Sequence, residues 1–249
     1  MKKLVSILLV FLFFFSSITF AAQTKKKKKP RAKQKIELIS KDKFILAGDF
    51  YIAPKKTNKP LIVLIHSFAM NAFCWNSLAN ELRLKGYNVL AMDLRGHGRS
   101  TLTEKLKFKS RYNFTPSDWQ KLPSDVIDSI NYVKKHFAGV NTNDVIIIGA
   151  DIGANTAMLS GILMKKVPQK FVLISPMYEF KGLKMPVKTS RISDSKILMI
   201  LAKSDKVLFD FNTKTKPKVI RYEKGGPGVQ LIKVNPQAQN EIINFIEAK

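Results

Sequence analysis

A carboxylate stands at the position of this sequence where residue type and spacing most directly suggest covalent chemistry. The apolar run Val145–Ile148 leads into Gly149-x-Asp151-x-Gly153, and a helix-like stretch follows. In the G-x-S-x-G pattern of a nucleophile elbow, the central residue sits on a sharp strand-to-helix turn and projects above the sheet. The flanking glycines relieve crowding at such a turn. Asp151 could therefore act as a nucleophile that forms an ester with a substrate.

Releasing such an ester requires a base that activates water, and the sequence offers few candidates. The chain has three histidines, His66, His97 and His136, and all of them precede Asp151. His66 follows an apolar run and could serve as an unconventional base beside the elbow. His97 lies in a glycine-rich loop and His136 among lysines on a predicted helix, where structural and surface roles are expected. The pattern favours a site that has a nucleophile-like group but lacks a base.

The elements predicted around Asp151 alternate between strand and helix. Short, wholly apolar runs are typical of strands that are buried on both faces of a parallel sheet. An antiparallel hairpin is predicted ahead of them, from 36–39 and 44–52. Further strands are predicted at 61–65, 87–92, 145–148, 171–174, 197–201 and 219–222, and helices at 72–86, 115–139, 152–165 and 237–248. This alternation predicts an α/β fold with a doubly wound, mostly parallel sheet.

The N terminus has the composition of an export signal. Lys2 and Lys3 precede the apolar stretch Leu4–Phe15, and a segment that ends in the small residues Ala21 and Ala22 follows. This pattern is typical of a secretory signal peptide over residues 1–22, and it predicts a periplasmic or extracellular protein. An uncleaved membrane anchor is the alternative, because the apolar stretch is nearly long enough to span a bilayer.

The chain is strongly basic, with a formal net charge of +25. Residues 23–35 hold eight of the lysines and arginines, which predicts a solvated, disordered arm ahead of a folded domain at 36–249. Such an arm, Lys25 to Lys35 in particular, favours contact with an anionic envelope surface. A compositional bias is the alternative, because lysine is spread along the whole chain. No specific nucleic-acid partner is predicted.

The remaining composition excludes several kinds of site. Cys74 is the only cysteine, so no intramolecular disulfide can form, and its neighbours Phe73 and Trp75 predict a buried thiol. The histidines and the cysteine lack the spacing of metal ligands. Phosphate-binding and dinucleotide-binding motifs are absent from the sequence. We therefore expect neither a metal nor another cofactor, and the sequence leaves the oligomeric state open.

Three motifs, in order along the chain, resemble those of α/β-hydrolases. They are His66 after an apolar strand, Asp93-x-Arg95-Gly96-His97-Gly98-x-Ser100, and the elbow at Gly149 to Gly153. From residue 36 to its end, the chain is similar to small esterases, either dienelactone-hydrolase-like or serine-aminopeptidase-like. Too few residues separate Ile174 from Ile197 for a sizeable cap domain, so a capless α/β-hydrolase fold is expected.

The resemblance implies roles for further positions. The oxyanion hole of the family is formed by backbone N–H groups, which would be those of Ile152 and of Ser67 or Phe68. The acid of the catalytic triad would be Asp205. The histidine of the triad should stand in a glycine-rich turn after the last strand, and this chain has Pro227 there.

Two of the three triad positions therefore carry residues that defeat ester hydrolysis. Asp151 replaces the usual nucleophile, and Pro227 has no titratable group. The sequence predicts an exported, catalytically inactive hydrolase-fold protein that acts in binding, with a small apolar ligand in a residual pocket around Asp151, Ser67 and Phe68 that His66 and Ile152 also line. The alternative is a hydrolase of esters or related small molecules that uses Asp151 with an unconventional base. Residues 176–180 lie where hydrolases line their substrate pocket.

Overall fold

The computed structural model describes residues 32–186, 190–193, 196–205 and 216–248. The predicted signal peptide at 1–22 and most of the predicted basic arm lie outside these residues. Within the described part of the chain, no helix has the length and apolar character needed to cross a bilayer.

Apolar strands form the centre of the fold. They are β1 (Lys33–Ile39), β2 (Phe44–Tyr51), β3 (Pro60–Ile65), β4 (Val89–Asp93), β5 (Leu102–Thr103), β6 (Asn141–Ala150), β7 (Lys170–Ile174), β8 (Glu179–Phe180), β9 (Leu183–Lys184), β10 (Ile197–Ala202) and β11 (Lys218–Tyr222). The main sheet has the order β1-β2-β4-β3-β6-β7-β10-β11, with β5 paired to β2, while β8 and β9 form a separate hairpin. The strands from β4 to β11 in this order are parallel to one another, and β2 is antiparallel to β1, β4 and β5.

Helices cover both faces of the sheet. They are α1 (Asn76–Leu84), α2 (Pro116–Trp119), α3 (Leu122–His136), α4 (Ile152–Leu163), α5 (Val229–Val234) and α6 (Gln237–Glu247). Alternate residues of β3 enter two separate cores: Val63 packs with α3 and α4, whereas Ile62 and Leu64 pack with α1, α5 and α6. A strand that is apolar on both faces requires this arrangement. The predicted doubly wound α/β sheet with its leading hairpin is confirmed, and no cap domain is evident among the described residues.

The folded domain begins earlier than predicted. Lys33, Gln34 and Lys35 belong to β1 and pair with Asp49–Tyr51 of β2, so the boundary at residue 36 was wrong. Lys33 Nζ lies 2.9 Å from a carboxylate oxygen of the buried Asp49 and 3.1 Å from Asn76 Oδ1. The carboxylate of Asp49 thus pairs with the charge of Lys33, a residue that the sequence pattern assigned to a disordered arm.

Two helical predictions also differ from the structure. The helix predicted at 115–139 is divided into α2 and α3, because Pro123 lies in the first turn of α3, where its missing N–H costs no helical hydrogen bond. The short helix α5 was not predicted at all, since it holds too few residues for a clear helical period.

The topology brings the candidate residues together. Because β3, β6, β7 and β10 are parallel, their carboxyl ends meet at one edge of the sheet. His66 follows β3, Asp151 follows β6, Ser175 follows β7 and Asp205 lies just after β10. The candidate site lies at this edge.

Candidate functional site at the carboxyl edge of the sheet

The turn between β6 and α4 has the sharp geometry of a nucleophile elbow. Asp151 adopts φ 57° and ψ −122°, a conformation that non-glycine residues rarely take. A side chain at Gly149 would come within 2.1 Å of the Gly153 carbonyl oxygen, and one at Gly153 within 2.3 Å of the Ile65 carbonyl oxygen. Only glycines permit this close packing of strand, turn and helix. The Asp151 N–H is fixed by a hydrogen bond to the Ile174 carbonyl oxygen at 2.8 Å.

The carboxylate of Asp151 is turned toward backbone N–H groups. Its Oδ2 accepts a hydrogen bond from the N–H of Phe68 at 3.1 Å. The N–H of Ile152, the next residue, is near enough to lower the pKa of the carboxyl. These are two of the groups that the family resemblance assigns to the oxyanion hole. The side chain that stands in place of a nucleophile therefore occupies the place of the oxyanion.

The environment of Asp151 opposes its ionisation more than it supports it. Burial raises the pKa of the Asp151 carboxyl above its ordinary value, and the negative charge of Asp205 adds to this effect. The N–H groups of Phe68 and Ile152 act in the opposite sense and lower the pKa. Among the described residues, no lysine, arginine or histidine forms an ion pair with Asp151. The carboxylate is balanced by backbone dipoles alone.

The turn that carries Pro227 lies directly against the elbow. Gly228 has φ 59°, and a β-carbon there would lie 2.1 Å from Ser67 Oγ and 3.1 Å from Asp151 Cβ. The N–H of Val229, the first residue of α5, donates to Ser67 Oγ at 3.0 Å. Ser67 thus holds this turn in place through a hydrogen bond. The turn packs next to Asp151, but Pro227 and Gly228 bring no titratable side chain to it.

His66 is fully buried, and both of its ring nitrogens are engaged. Nε2 accepts a hydrogen bond from the N–H of Leu94 at 2.9 Å, so Nδ1 is the protonated nitrogen that donates to the Ser67 carbonyl oxygen at 2.8 Å. Burial, together with the neighbouring His97, lowers the pKa of His66 to about 4. His66 shapes the loop after β3, and neither nitrogen is left to act as a base.

Neither His97 nor His136 is placed to act as the base that His66 cannot supply. His97 Nδ1 lies 2.9 Å from the Arg95 carbonyl oxygen, while Nε2 is buried without a partner among the described residues. Burial lowers the pKa of His97 to about 4. His136 lies on the exposed side of α3, where it stacks on Tyr132 with ring centroids 4.1 Å apart. None of the three histidines is placed as a conventional base for Asp151.

Asp205 is held in a tight turn after β10. Its Oδ2 accepts a hydrogen bond from the N–H of Ala202 at 2.9 Å, and its own N–H donates to the Ala202 carbonyl oxygen. Asp205 is close enough to Asp151 to raise the pKa of that carboxyl. The place expected for a triad acid is therefore filled, but the histidine that it would orient is missing from the sequence.

Sequence reasoning missed an apolar wall beside the elbow. We define this aromatic wall by Phe68, His97, Phe114, Trp119 and Phe180. The Phe68 ring lies 5.3 Å from that of Phe180, 5.8 Å from that of His97 and 6.0 Å from that of Trp119, and Phe114 lies 4.9 Å from Trp119. Phe68, His97 and Phe180 stand in segments that the family resemblance marked, whereas Phe114 and Trp119 do not. The wall gives the site an apolar side next to the carboxyl of Asp151.

The glycine-rich loop after β4 is structural. Arg95 is almost fully buried, and its guanidinium binds Asp125 through two contacts at 2.5 and 2.6 Å and Asp42 through two at 2.9 Å. Ser100 Oγ accepts from the N–H of Ala47 and donates to the Asp93 carbonyl oxygen. These bonds hold His97 within the aromatic wall.

Two further polar side chains, a serine and the cysteine, are wholly or partly shielded from solvent. Ser175, which precedes Pro176, has φ 47°, and its hydroxyl is buried without a partner among the described residues. Cys74 is half-buried and not fully buried as predicted, and burial raises the pKa of its thiol to about 12, so the thiol is protonated at neutral pH.

Comparison with solved structures shows the same fold. An esterase of Pyrococcus furiosus, Pf2001, superimposes with a TM-score of 0.64 at 18% identity and covers 86% of this chain and 92% of its own. The structure of DcsB with its substrate analogue superimposes with a TM-score of 0.63 at 13% identity, covering 86% and 98%. Likeness at this identity concerns the fold alone.

Relatives are also found by sequence. A Haemophilus influenzae protein described as an esterase/lipase is 26% identical in an alignment of 194 positions that covers 69% of this chain and 60% of that protein. Human epoxide hydrolase 4 is 27% identical over 125 residues, or 50% of this chain and 30% of that protein. The chain thus spans less than two thirds of the length of these curated relatives. The model of the family "Serine aminopeptidase, S33" matches residues 56–225. Since this match covers more than half of its residues, the chain belongs to the serine aminopeptidase S33 family of α/β-hydrolases.

Proposed function

We propose that this protein is an exported member of its family that binds a small, largely apolar molecule beside Asp151 and does not hydrolyse it. The observation that carries the proposal is the position of the Asp151 carboxylate, which accepts a hydrogen bond from the N–H of Phe68 at 3.1 Å and lies beside the N–H of Ile152. The same two groups would be needed to stabilise a reacting oxyanion.

Acyl transfer is opposed by electrostatics at this site. Oxyanion-hole donors act because they are oriented toward the negative charge that develops in the transition state. Here a negative group is already bonded to them, so a second negative charge would be repelled. In the serine-protease template, an enzyme that has lost triad members keeps about 10³- to 10⁴-fold catalysis through its oxyanion hole and substrate binding. The contact with Asp151 removes the share of this remaining catalysis that the oxyanion hole would supply.

Binding is supported by the surroundings of the carboxyl group. The aromatic wall supplies apolar contacts, with Phe68 and Phe180 in edge contact at 5.3 Å. Asp151 is itself only half-buried, so part of its carboxyl remains open to a ligand. A molecule with an apolar body and one hydroxyl or amine donor would satisfy both features.

A hydrolase that uses Asp151 as nucleophile is the second candidate. It is favoured by the matches to epoxide hydrolases and by the elbow geometry. It requires a base, and His66 has no free nitrogen while His97 Nε2 is enclosed by aromatic rings. For this reason we place it second.

The N-terminal segments extend the proposal to location. Residues 1–22 would direct export, and the basic residues from Lys25 would hold the folded domain near an anionic envelope surface. The support for both statements is the order of charged, apolar and small residues in the sequence.

The proposal is tested by assaying hydrolysis of short-chain p-nitrophenyl esters, haloalkanes and epoxides. The protein without residues 1–22 is compared with its Asp151→Asn variant, and with Asp144→Asn as a matched control at a partly exposed carboxylate paired with Lys166. We expect no turnover above buffer in any of the three. Turnover that survives Asp144→Asn and is lost in Asp151→Asn would overturn the proposal in favour of the hydrolase.

A further inference from the structure

An exposed segment that is both basic and apolar lies outside the nucleophile elbow. Residues 105–112, which we call the basic tip, read Lys-Leu-Lys-Phe-Lys-Ser-Arg-Tyr and lie in the connection between β5 and α2. The side chains of Leu106, Phe108 and Tyr112 are 72%, 69% and 78% exposed. Three large apolar residues thus project from eight consecutive residues that also carry four cationic side chains.

Backbone hydrogen bonds fix the conformation of the basic tip, so this exposure is built into the fold. The N–H of Leu106 donates to the Thr103 carbonyl oxygen at 2.8 Å, and the N–H of Thr103 donates to the Lys107 carbonyl oxygen at 3.0 Å. Lys109 is bonded to Thr101 in the same manner. These bonds form a tight turn whose apex is Leu106, and they leave its side chain no neighbouring core to enter.

The conformation of Leu106 is unusual for its residue type. Its φ is 56°, in the left-handed region that favours glycine or asparagine and that crowds a β-carbon. A glycine at this place would keep the turn and relieve the strain. Leucine at this position therefore lowers the stability of the fold relative to glycine. We infer that its exposed side chain has a role in contacting a partner.

The charge around the apex is positive. Lys105 and Lys107 are exposed, whereas the one carboxylate of the turn, Glu104, is paired with Lys43 at 3.4 Å. Lys109 Nζ lies 2.6 Å from Asp118 and is thereby neutralised. The two lysines that flank Leu106 are left to act on an external anion.

We propose that the basic tip docks the folded domain on an anionic phospholipid surface. Leu106 and Phe108 would enter the boundary between headgroups and acyl chains, with Tyr112 at headgroup level, while Lys105 and Lys107 lie against the phosphates. A single-stranded nucleic acid would be held by aromatic stacking, and a leucine at the apex offers no stacking face. The aliphatic apex therefore favours a membrane.

Docking of this kind would place the candidate site close to the membrane. The guanidinium of Arg111, within the basic tip, lies 5.6 Å from the ring centre of Phe68, whose N–H bonds Asp151. The inference is independent of whether the site hydrolyses or only binds its ligand, because it concerns a separate surface.

The test is sedimentation with vesicles of equal parts phosphatidylglycerol and phosphatidylcholine, and with phosphatidylcholine vesicles alone. All described strands and helices lie within 33–247, so the protein is used without residues 1–22, and also without 1–31 to remove the arm. We expect the protein without 1–31 still to bind the anionic vesicles. We expect Leu106→Gly/Phe108→Ser, and separately Lys105→Gln/Lys107→Gln, to weaken this binding on the order of tenfold or more.

Matched control variants distinguish docking through the basic tip from nonspecific adsorption to vesicles. Phe73 is as exposed as Phe108, at 72%, and has no basic neighbours in the sequence, so Phe73→Ser is the apolar control. Lys55→Gln/Lys56→Gln removes the same charge from another exposed loop. Both controls should leave vesicle binding within about twofold. The melting temperature of Leu106→Gly should equal or exceed that of the parent, since glycine relieves the strain.

Three results would overturn the proposal. The first is vesicle binding that is unchanged by either pair of tip substitutions. The second is an equal loss from the Lys55/Lys56 control, which would reduce the effect to net charge. The third is a loss of binding to single-stranded DNA in the tip variants while vesicle binding persists, which would identify a nucleic-acid surface.

Discussion

The N–H of Phe68 lies 3.1 Å from Oδ2 of Asp151, although 83 residues separate the two in sequence. This hydrogen bond joins the loop after β3 to the turn after β6, and in doing so it places a carboxylate where an oxyanion would form. A serine in place of Asp151 would be too short to fill that position while its hydroxyl attacked a substrate. The bond therefore explains in one contact how an intact elbow is compatible with the inactive site that we propose.

Restoring both altered positions should restore chemistry. The Asp151→Ser/Pro227→His variant would free the oxyanion donors and supply a base, with Asp205 as the acid. We expect hydrolysis of short-chain p-nitrophenyl esters about 10²-fold or more above the parent protein, since a positioned general base contributes at least this much. Each single substitution should stay near buffer. Equal activity in Asp151→Ser alone would show that another base is already present.

Asp151→Asn should stabilise the protein at neutral pH. Because burial raises the pKa of Asp151 above 3.8, ionisation of this group costs stability at pH values above that range, and the cost disappears as pH falls through it. Asparagine also tolerates positive φ. Denaturant unfolding at pH 7 and pH 3.5 measures the difference: the variant should be the more stable at pH 7, with the gap closing in acid. A variant that is less stable at pH 7 would show that the backbone bonds to the carboxylate outweigh its burial.

His97 should make the protein sensitive to mild acid. Its folded pKa is about 4 against an unfolded value of 6.5, so the unfolded state binds more protons between these values, and stability falls as pH is lowered through them. The full effect is about 3 kcal/mol. The measurement is the unfolding free energy of the parent and of His97→Gln from pH 7 to pH 4. The parent should lose more stability than the variant, with the exposed His136→Gln as control.

The beginning of the folded domain is testable by truncation. Removing residues 23–31 together with 1–22 should leave stability unchanged, because every described strand starts at Lys33 or later. Extending the truncation through Lys35 removes part of β1 and the contact of Lys33 with the buried Asp49 at 2.9 Å. We expect a loss of about 1 to 3 kcal/mol in unfolding free energy from the lost hydrogen bonds and the unpaired carboxylate. Equal stability of the two truncations would return the boundary to residue 36.

The fold could be predicted from the sequence because the patterns that indicate it lie in short, continuous segments. Apolar runs such as Leu61–Ile65 require burial on both faces, and the glycines at 149 and 153 require a close strand-to-helix turn, so both features could be read from neighbouring residues. The replacement at Pro227 was visible for the same reason.

What the sequence could not supply depends on contacts between distant segments. The orientation of the Asp151 carboxylate is set by a loop that follows another strand, and the aromatic wall adds Phe114 and Trp119 from a connection with no site motif. Lys33 was assigned to a disordered arm because its partner, Asp49, is recognisable only when β1 pairs with β2.

Intact-mass measurement after exposure to reactive substrates tests the central claim most directly. An Asp151 nucleophile without a base would form an ester with an epoxide or haloalkane and then retain it, because nothing would activate water to release it. We predict an unchanged mass for the parent protein, since the carboxylate is held against the oxyanion donors by the hydrogen bond from the N–H of Phe68 to Oδ2. A stoichiometric mass increase that maps to Asp151 and is absent from Asp151→Asn would contradict the account.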